Sequence, residues 1–435
     1  MTGQPLLGLA GVITLLVLLL TGMPIGIALG LVGLGGLALT LGLEPAVIKS
    51  GVLLFETLTR YELGTLPLFM LMAHLCFAAE ASRDFFDVAA RFLGHRRGGL
   101  AIASVAGCAG FGSINGSSLA TTATIGLVAL PEMRSRGYAD SLATGSIAAG
   151  GTLGQMIPPS GALIVFGIIA EQSIGALFTA AIVPGITQML SYFLVIALWV
   201  RLQPGIAPRL PGSSWAERRA ALRRILDIGV LVVVVTGGIA VGWVTPSEAA
   251  AVGAAGALLI CWLRKRLNGQ TLRRALEETL RTSGLIYLVI VGALIFSAFI
   301  SVTGLTEAIG TSIAGLGLGP SGTMLLVAAF LLLIGSVLDG LAMMLLTTPI
   351  LLPLVTGFGL SPVWFGIFLV RAMEIGFVHP PIGMNLYVIQ GVAPDVSIGR
   401  VFRGVLPFLA ADLIHLVLLA LFPVIALGLQ HWLGR

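Results

Sequence analysis

The strongest constraint on this chain is a series of apolar segments, each close to the length that crosses a lipid bilayer. A transmembrane helix needs about 20 mostly apolar residues. Such segments are predicted at Pro5–Thr21, Pro24–Leu41, Glu62–Glu80, Phe178–Val200, Asp227–Trp243, Ser247–Leu263, Gly284–Ser301 and Gly404–Ile425. Only 10% of the residues are charged and 57% are hydrophobic, whereas soluble domains carry about 25% charged residues. The sequence therefore predicts an all-α polytopic membrane protein and excludes an ordinary soluble enzyme.

Two further apolar regions are interrupted by polar turns. Within 98–130, the turn Gly112–Gly116 separates two stretches that are too short to cross a bilayer. Within 320–355, Asp339-Gly340 holds the corresponding place. Such backbone is stable in a membrane only where it is buried in protein or lines a wet cavity. Both regions are therefore predicted to be re-entrant helical hairpins.

Two other helices are predicted to be broken by paired prolines. The region 138–170 contains Pro158-Pro159, and 362–392 contains Pro380-Pro381. Proline lacks the N–H donor of a helix and clashes with the preceding turn. Each region is therefore expected to form two half-helices that meet inside the membrane.

The interruptions recur at one spacing, which indicates an internal duplication. A shift that places Pro158 on Pro380 also aligns the following residues: Pro24 with Pro246, Pro131 with Pro353, Pro159 with Pro381, Gly137 with Gly359, Gly154 with Gly376, and Gly161 with Gly383. The expected organisation is a scaffold at 1–61, a first repeat at 62–205, a scaffold pair at 206–283 and a second repeat at 284–435.

The positions of the basic residues predict that the two repeats are inverted. Leu202–Arg224 and Arg264–Arg281 are arginine-rich, so both are expected in the cytoplasm. Counting crossings outward from them places Ser82–Arg97, which has four arginines, inside as well. The equivalent stretch Val302–Gly319 falls outside and has neither Lys nor Arg. The formal charge of +5 thus reflects membrane topology and gives no reason to expect nucleic acid as a partner.

Inverted repeats with hairpins and broken helices are typical of secondary transporters. Half-helix N-termini can face an anion, while carbonyls and half-helix C-termini can coordinate sodium. One hairpin tip and one break from the same repeat are expected to form an ion site, which gives two related sites. Under the duplication Ser117 corresponds to Asp339 and Thr152 to Glu374, so the side chains of the two sites differ. Small-residue helix packing and simple proline kinks are the alternatives.

Ionisable residues deep in a membrane are costly, so a functional role is the first hypothesis for each. Asp339, Arg371 and Glu374 are the strongest candidates in this chain. Arg371 and Glu374 are three residues apart and could instead neutralise each other on one helix face. His379, beside the second proline pair, is either an ion ligand or proton carrier, or a hydrogen-bonded structural residue.

Motifs of several enzyme classes are missing from the sequence, so no enzymatic activity is expected. It contains no His-Glu-x-x-His zinc motif, no Gly-x-Ser-x-Gly nucleophile elbow and no Walker loop for ATP. The cysteines Cys76, Cys108 and Cys261 lie in apolar stretches without the spacing of a metal site.

The motifs around the interruptions resemble the large membrane subunit of TRAP transporters, the tripartite ATP-independent periplasmic family. The resemblance covers nearly the whole chain. It rests on Gly116-Ser117-Ser118, Pro131-Glu132-Met133, Gly137-Tyr138, Gly151–Gly154, Ile157–Ser160, Val183-Pro184-Gly185, Thr245–Ala249, Glu374–Gly376, Pro380-Pro381 with Gly383, and Asn385.

The resemblance implies an elevator-type transporter in the bacterial inner membrane, driven by sodium ions and needing no other cofactor. It implies a small membrane subunit, a periplasmic substrate-binding protein and a carboxylate substrate as partners within the lipid bilayer. One sodium site would contain Ser113, Asn115, Gly116, Ser117, Thr152 and Gly154. The other would contain Ser336, Asp339, Glu374, Gly376 and His379. Substrate would lie near Ser118, Thr121, Thr347, Arg371 and Asn385.

One position departs from the family pattern. Members commonly have Thr before the second proline pair, where this chain has His379, and this affects the expected second ion site. Two other interpretations remain open from the residues alone: a stand-alone ion-coupled transporter of the same architecture, and a channel.

Overall fold

The structure is a computed structural model that describes residues 4–336 and 338–433. All regular elements in these residues are helices. The first half contains α1 (Pro5–Leu20), α2 (Ile25–Leu41), α3 (Leu43–Thr59), α4 (Thr65–Ala78), α5 (Ala81–Leu93), α6 (Gly99–Asn115), α7 (Ser118–Ser135), α8 (Asp140–Met156), α9 (Gly161–Ile169) and α10 (Ile174–Leu202).

The second half repeats this order with one fusion. It contains α11 (Trp215–Val232), a π-helical turn at Val233–Gly237, α12 (Gly238–Val241), α13 (Pro246–Leu263), α14 (Gly269–Thr303), α15 (Leu305–Ala314), α16 (Gly319–Gly335), α17 (Gly340–Gly357), α18 (Pro362–Val378), α19 (Met384–Val392), α20 (Ile398–Leu421) and α21 (Val424–Trp432). The long α14 covers the positions equivalent to both α3 and α4. The predicted domain boundary at 283/284 therefore falls inside one continuous helix.

Helix starts follow from local capping. Thr245 accepts the backbone N–H of Glu248, and the Glu248 carboxylate accepts the backbone N–H of Thr245. With Pro246 at the first helical position, this capping box fixes the start of α13. Ser117 and Ser160 cap α7 and α9 through their hydroxyl oxygens. The motifs that carried the family resemblance thus act locally as helix boundaries.

The two halves pack by reciprocal exchange. Helix α13 is the equivalent of α2, and the second part of α14 is the equivalent of α4. Helix α2 packs along α14, and α13 packs along α4. A contact repeated with exchanged partners is what a two-fold axis produces. The approach is close: a Cβ on Gly33 would lie 2.6 Å from the backbone N of Phe296. The fold is therefore the predicted pair of inverted repeats.

The first half-helix of each broken pair is among the most deeply buried parts of the core. Every residue of 142–156 in α8 and of 364–378 in α18 is buried. Hairpin α6–α7 packs on α8, and hairpin α16–α17 packs on α18. At the first proline break the direction changes by 40° between α8 and α9. Both predicted hairpins and both predicted breaks are present.

The membrane-crossing capacity agrees with a polytopic protein. In residues 4–336 and 338–433, seven helices are long and apolar enough to span a bilayer, or eight if α8 and α9 form one bent span. Helices α1 and α2 are shorter apolar helices. Helix α17 also has the length of a span, although it forms the second arm of the predicted hairpin 320–355.

Several segments outside the predicted spans also form helices. Residues 42–61 mostly form α3, and the arginine-rich Ser82–Arg97 mostly forms α5. The stretch Val302–Gly319 contains α15. Residues 42–61 and Ser82–Arg97 were not predicted as helices because charged residues interrupt their apolar runs, although charges on one face do not prevent helix formation. Val302–Gly319 has one charged residue, Glu307, and its apolar run is interrupted by glycines instead.

Candidate functional site

The tip of the first hairpin is shorter than the sequence suggested. Helix α6 continues through Gly112, Ser113 and Asn115, so the turn consists of Gly116 and Ser117 alone. The predicted polar turn at Gly112–Gly116 is thus mostly the last turn of α6. Gly116 has φ +63°, a left-handed conformation that favours glycine, and it ends α6 as a C-cap.

This tip packs backbone to backbone against the first proline break. A Cβ on Gly116 would lie 2.9 Å from the carbonyl oxygen of Pro159. A Cβ on Gly154 would lie 2.7 Å from Thr121 Oγ1 and 3.0 Å from the carbonyl oxygen of Ser117. Glycine is therefore required on both sides for the hairpin tip and the break to meet.

The polar side chains at this tip have different orientations. Asn115 Nδ2 lies 3.5 Å from Thr121 Oγ1, so these two predicted residues meet beside Gly154. Ser113 donates its hydroxyl to the carbonyl of Gly110 at 2.7 Å. Thr152 Oγ1 donates to the carbonyl of Ala149 at 2.7 Å.

Thr152 is also joined to α10. Gln188 Nε2 donates to Thr152 Oγ1 at 3.1 Å, and the Tyr192 hydroxyl lies 3.1 Å from the same oxygen. The structure therefore brings Asn115, Gly116, Ser117 and Gly154 together at the tip and directs the Thr152 side chain elsewhere. The role of each residue in ion binding remains a prediction.

The second hairpin repeats the arrangement with a carboxylate. A Cβ on Gly376 would lie 2.6 Å from the carbonyl oxygen of Gly335, so a glycine of the broken helix again packs against the backbone of its hairpin. A cavity of about 60 Å³ lies beside this contact, lined by Gly335, Leu338, Asp339, Gly340, Met373, Gly376, Phe377, Ile382 and Met384. Asp339 caps α17, where its Oδ2 accepts the N–H of Leu341 at 3.2 Å.

The other residues predicted for the second site do not line this cavity. Ser336 donates its hydroxyl to the carbonyl of Leu333 at 2.7 Å. His379 is the C-cap of α18, and its buried Nδ1 has no hydrogen-bond partner among the described residues. Glu374 lies on α18 and faces Arg371. The structure therefore groups Asp339 with Gly376 and directs Glu374 away.

One contact joins the two repeats where substrate was predicted to bind. Asn385 Nδ2, on α19, donates to Ser118 Oγ at 2.8 Å and to the carbonyl of Ala148 at 2.9 Å. Ser118 begins α7, so the second repeat reaches the tip of the first hairpin. Thr347 is buried, and its hydroxyl donates to the carbonyl of Met343 at 2.8 Å.

Arg371 occupies the centre of a fully buried charged network. Its Nη1 donates to Glu374 Oε2 at 3.0 Å and its Nη2 to Asp412 Oδ1 at 2.5 Å. Its Nε donates to His415 Nδ1 at 3.0 Å, so that nitrogen is unprotonated. The side chains of Arg371, Glu374 and Asp412 are all 0% exposed. His415 Nε2 in turn contacts Thr187 Oγ1 at 2.9 Å.

Sequence reasoning missed the Asp412 and His415 half of this network. It interpreted Gly404–Ile425 as an ordinary apolar span. A signal was present, because Asp412 and His415 are three residues apart and therefore share one face of α20. Two ionisable residues on one face of a membrane helix indicate a buried partner.

The helix ends define what each break can bind. At the first break, α6 and α8 end while α7 and α9 begin, and the second break has the same arrangement with α16–α19. Helix C-termini carry carbonyl oxygens without helical partners, and helix N-termini carry free N–H groups. Each break therefore presents a cation-favouring and an anion-favouring end within a few residues.

Comparisons with known proteins agree with this architecture. The family model described as "Tripartite ATP-independent periplasmic transporter, DctM component" matches residues 12–425. The C4-dicarboxylate TRAP transporter large permease protein DctM of Rhodobacter capsulatus is 34% identical over 435 residues, covering 97% of this chain and 98% of the relative. The sialic acid TRAP transporter large permease protein SiaM of Vibrio cholerae is 31% identical, covering 93% and 94%.

A solved structure gives the same fold at lower sequence similarity. The YdaH transporter of Alcanivorax borkumensis matches with a TM-score of 0.61 and 16% identity, covering 99% of this chain and 100% of that one. The family match extends over nearly all of the helices described above. The chain therefore belongs to the DctM family, the large inner-membrane permease subunits of tripartite ATP-independent periplasmic transporters.

Proposed function

We propose that this permease performs sodium-coupled uptake of a carboxylate-bearing solute across the cytoplasmic membrane. The observation that carries the proposal is the repeated break. In both repeats a hairpin tip contacts a glycine of the broken helix, Gly154 or Gly376, and two helix C-termini end beside it. Sodium is bound by carbonyl and carboxylate oxygens at such ends.

The second break is the stronger candidate for a cation site. Its cavity of about 60 Å³ is lined by Asp339. A cavity needs about 10–15 Å³ on this measure for each water that it holds, so the space suits an ion together with a few water molecules. The first break would bind its ion without a carboxylate, through Asn115, Gly116 and Ser117.

The substrate would lie between the two tips, beside the Ser118–Asn385 contact. Named relatives carry C4-dicarboxylates and sialic acid, and the N-terminus of α7 offers N–H groups to an anion. We further propose that a periplasmic binding protein delivers the solute and that a small membrane subunit supports the scaffold helices. Movement of α6–α10 with α16–α20 as one body would provide elevator transport.

Reconstituted transport with Asp339→Asn tests the sodium site. Asn remains a good helix cap, so α17 is expected to form while the charged ligand is lost. The sodium concentration for half-maximal uptake should rise roughly tenfold or more, since even supporting residues of metal sites contribute that much to affinity. Glu307→Gln, which neutralises an exposed carboxylate of α15, is the matched control.

The outcomes separate the competing functions. Unchanged sodium dependence in both Asp339→Asn and Ser117→Ala would refute the site assignment. Uptake without a binding protein would favour the stand-alone transporter. Passive flux that needs no sodium gradient would favour a channel.

A further inference from the structure

A large polar cavity lies far from the tip of the first hairpin. It has a volume of about 970 Å³ and lies between α5, the end of α7, the basic part of α11 and the loop after α13. Glu132 marks its place on α7. That residue is 14 positions beyond Ser118, which corresponds to about 21 Å along a helix. The arginine-rich segments beside the cavity were predicted to be cytoplasmic.

The carboxylates that line the cavity are all paired with arginine. The pairs are Glu80 with Arg266, Asp84 and Asp227 with Arg264, Asp87 with Arg91, and Glu132 with Arg136. Three further lining arginines, Arg83, Arg223 and Arg224, have no carboxylate within 4.0 Å in the described part of the chain. Among the described residues, six arginines and five carboxylates line the cavity, so its lining has a net charge of +1. Arg83, Arg223 and Arg224 are the lining arginines whose charge is not used in an ion pair with a described residue.

Arg264 connects the helices that surround the cavity. Its Nε donates to Asp227 Oδ2 at 2.8 Å, and its Nη1 donates to the carbonyl of Ala79 at 2.9 Å. Its Nη1 also contacts Asp84 Oδ2. This one side chain joins the end of α4, α5 and α11. The helices beside the three unpaired arginines are therefore held together by Arg264. Phe86 and Val128 form an apolar part of the cavity lining.

We propose that this cavity binds a phosphate-bearing anion, with the phosphodiester headgroup of an acidic membrane lipid as the main source. Guanidinium groups match phosphate oxygens in charge and in bidentate geometry. Basic pockets between membrane helices on the cytoplasmic side have the position required for acidic headgroups. The apolar residues Phe86 and Val128 suit the start of an acyl chain.

The test measures lipid binding to the purified full-length chain by native mass spectrometry. Phosphatidylglycerol is expected to bind at least roughly tenfold more tightly than zwitterionic phosphatidylcholine, since each basic group near a membrane surface contributes about a factor of five. The variant Arg83→Gln/Arg223→Gln/Arg224→Gln should lose that preference. Inorganic phosphate is titrated separately by its effect on the melting temperature.

A matched triple variant controls for total charge. Arg209→Gln/Arg219→Gln/Arg274→Gln removes three exposed arginines that do not line the cavity, and it should keep the preference for phosphatidylglycerol. If the cavity triple variant fails to fold, Arg83→Gln alone should weaken phosphatidylglycerol binding about fivefold, and Arg83→Lys should restore most of it.

Each result decides the proposal. A lipid preference lost only in the cavity variant supports the headgroup. Stabilisation by inorganic phosphate that only the cavity variant loses, without a lipid preference, supports the same site with a free anion. Equal binding of both lipids with no phosphate effect refutes the site, as does an equal loss in the control triple variant.

Discussion

Replacing Arg371 by methionine separates a structural role from a role in substrate binding. Arg371 donates to Glu374, Asp412 and His415, and it is fully buried. Methionine has a similar length and no charge. In Arg371→Met both carboxylates remain in the interior without their cation.

The expected destabilisation follows from that uncompensated charge. Removing one partner of a buried ion pair typically costs about 3–5 kcal/mol. Membrane insertion scales give a similar figure, about 2.5–3.5 kcal/mol, for one carboxylate at the centre of a bilayer. We therefore expect Arg371→Met to lower the free energy of unfolding by about 3–5 kcal/mol.

A compensating variant gives the sharper comparison. Arg371→Met/Glu374→Leu/Asp412→Leu removes all three charges together, and replacing a buried ion network by apolar residues is often neutral or stabilising. Its unfolding free energy should return to within about 1 kcal/mol of the wild type. Arg403→Met removes an exposed arginine of α20 and should change stability by less than about 0.5 kcal/mol.

The assay is reversible unfolding of the purified protein in mixed micelles, with uptake measured in proteoliposomes. The reasoning is refuted if Arg371→Met unfolds within about 1 kcal/mol of the wild type while uptake is lost. That pattern would assign Arg371 to the substrate, as the family resemblance implied. A destabilised single variant that the triple variant rescues would assign it to the core.

Two further predictions concern packing and the contact between the repeats. Gly145→Val should destabilise the protein by at least about 1–3 kcal/mol in the same unfolding assay, because a Cβ there would lie 2.1 Å from the carbonyl oxygen of Gly404; Gly51→Val, on an open face of α3, should cost no more than several tenths of a kcal/mol. Asn385→Ala removes the bonds to Ser118 beside the proposed substrate position. The uptake rate per folded transporter should therefore fall. An uptake loss that is fully explained by a smaller folded fraction would contradict that placement.

The sequence was sufficient for the fold where backbone chemistry decides the structure. Paired prolines located both helix breaks, and the spacing from Pro158 to Pro380 revealed the duplication. The residue where the first hairpin turns was harder to predict. Gly112 and Gly116 are both glycines, but only Gly116 has the left-handed conformation, whereas Gly112 is needed for its close approach to Gly154.

Side-chain directions at the site were beyond sequence reasoning. Thr152 and Glu374 lie near the breaks in sequence, so each was assigned to its nearest hairpin tip. Their directions depend on how α8 and α18 are rotated about their axes, and packing against α10 and α20 sets that rotation. The pattern of small and polar residues along one helix does not show which helices pack against it, so it cannot predict this rotation.

The equivalent positions Thr152 and Glu374 both turn towards α10. Gln188 donates to Thr152 and lies close to Glu374, whose Oε1 has no hydrogen-bond partner among the described residues. One side chain of α10 therefore lies beside equivalent points of the two repeats. The second repeat continues the polar strip through Arg371 to α20. Hairpin α6–α7 packs on α8 and hairpin α16–α17 packs on α18, so we expect this polar strip to couple the two breaks. A defect at Arg371 is therefore expected to disturb both proposed ion sites together, whereas a defect at Asp339 should affect only its own.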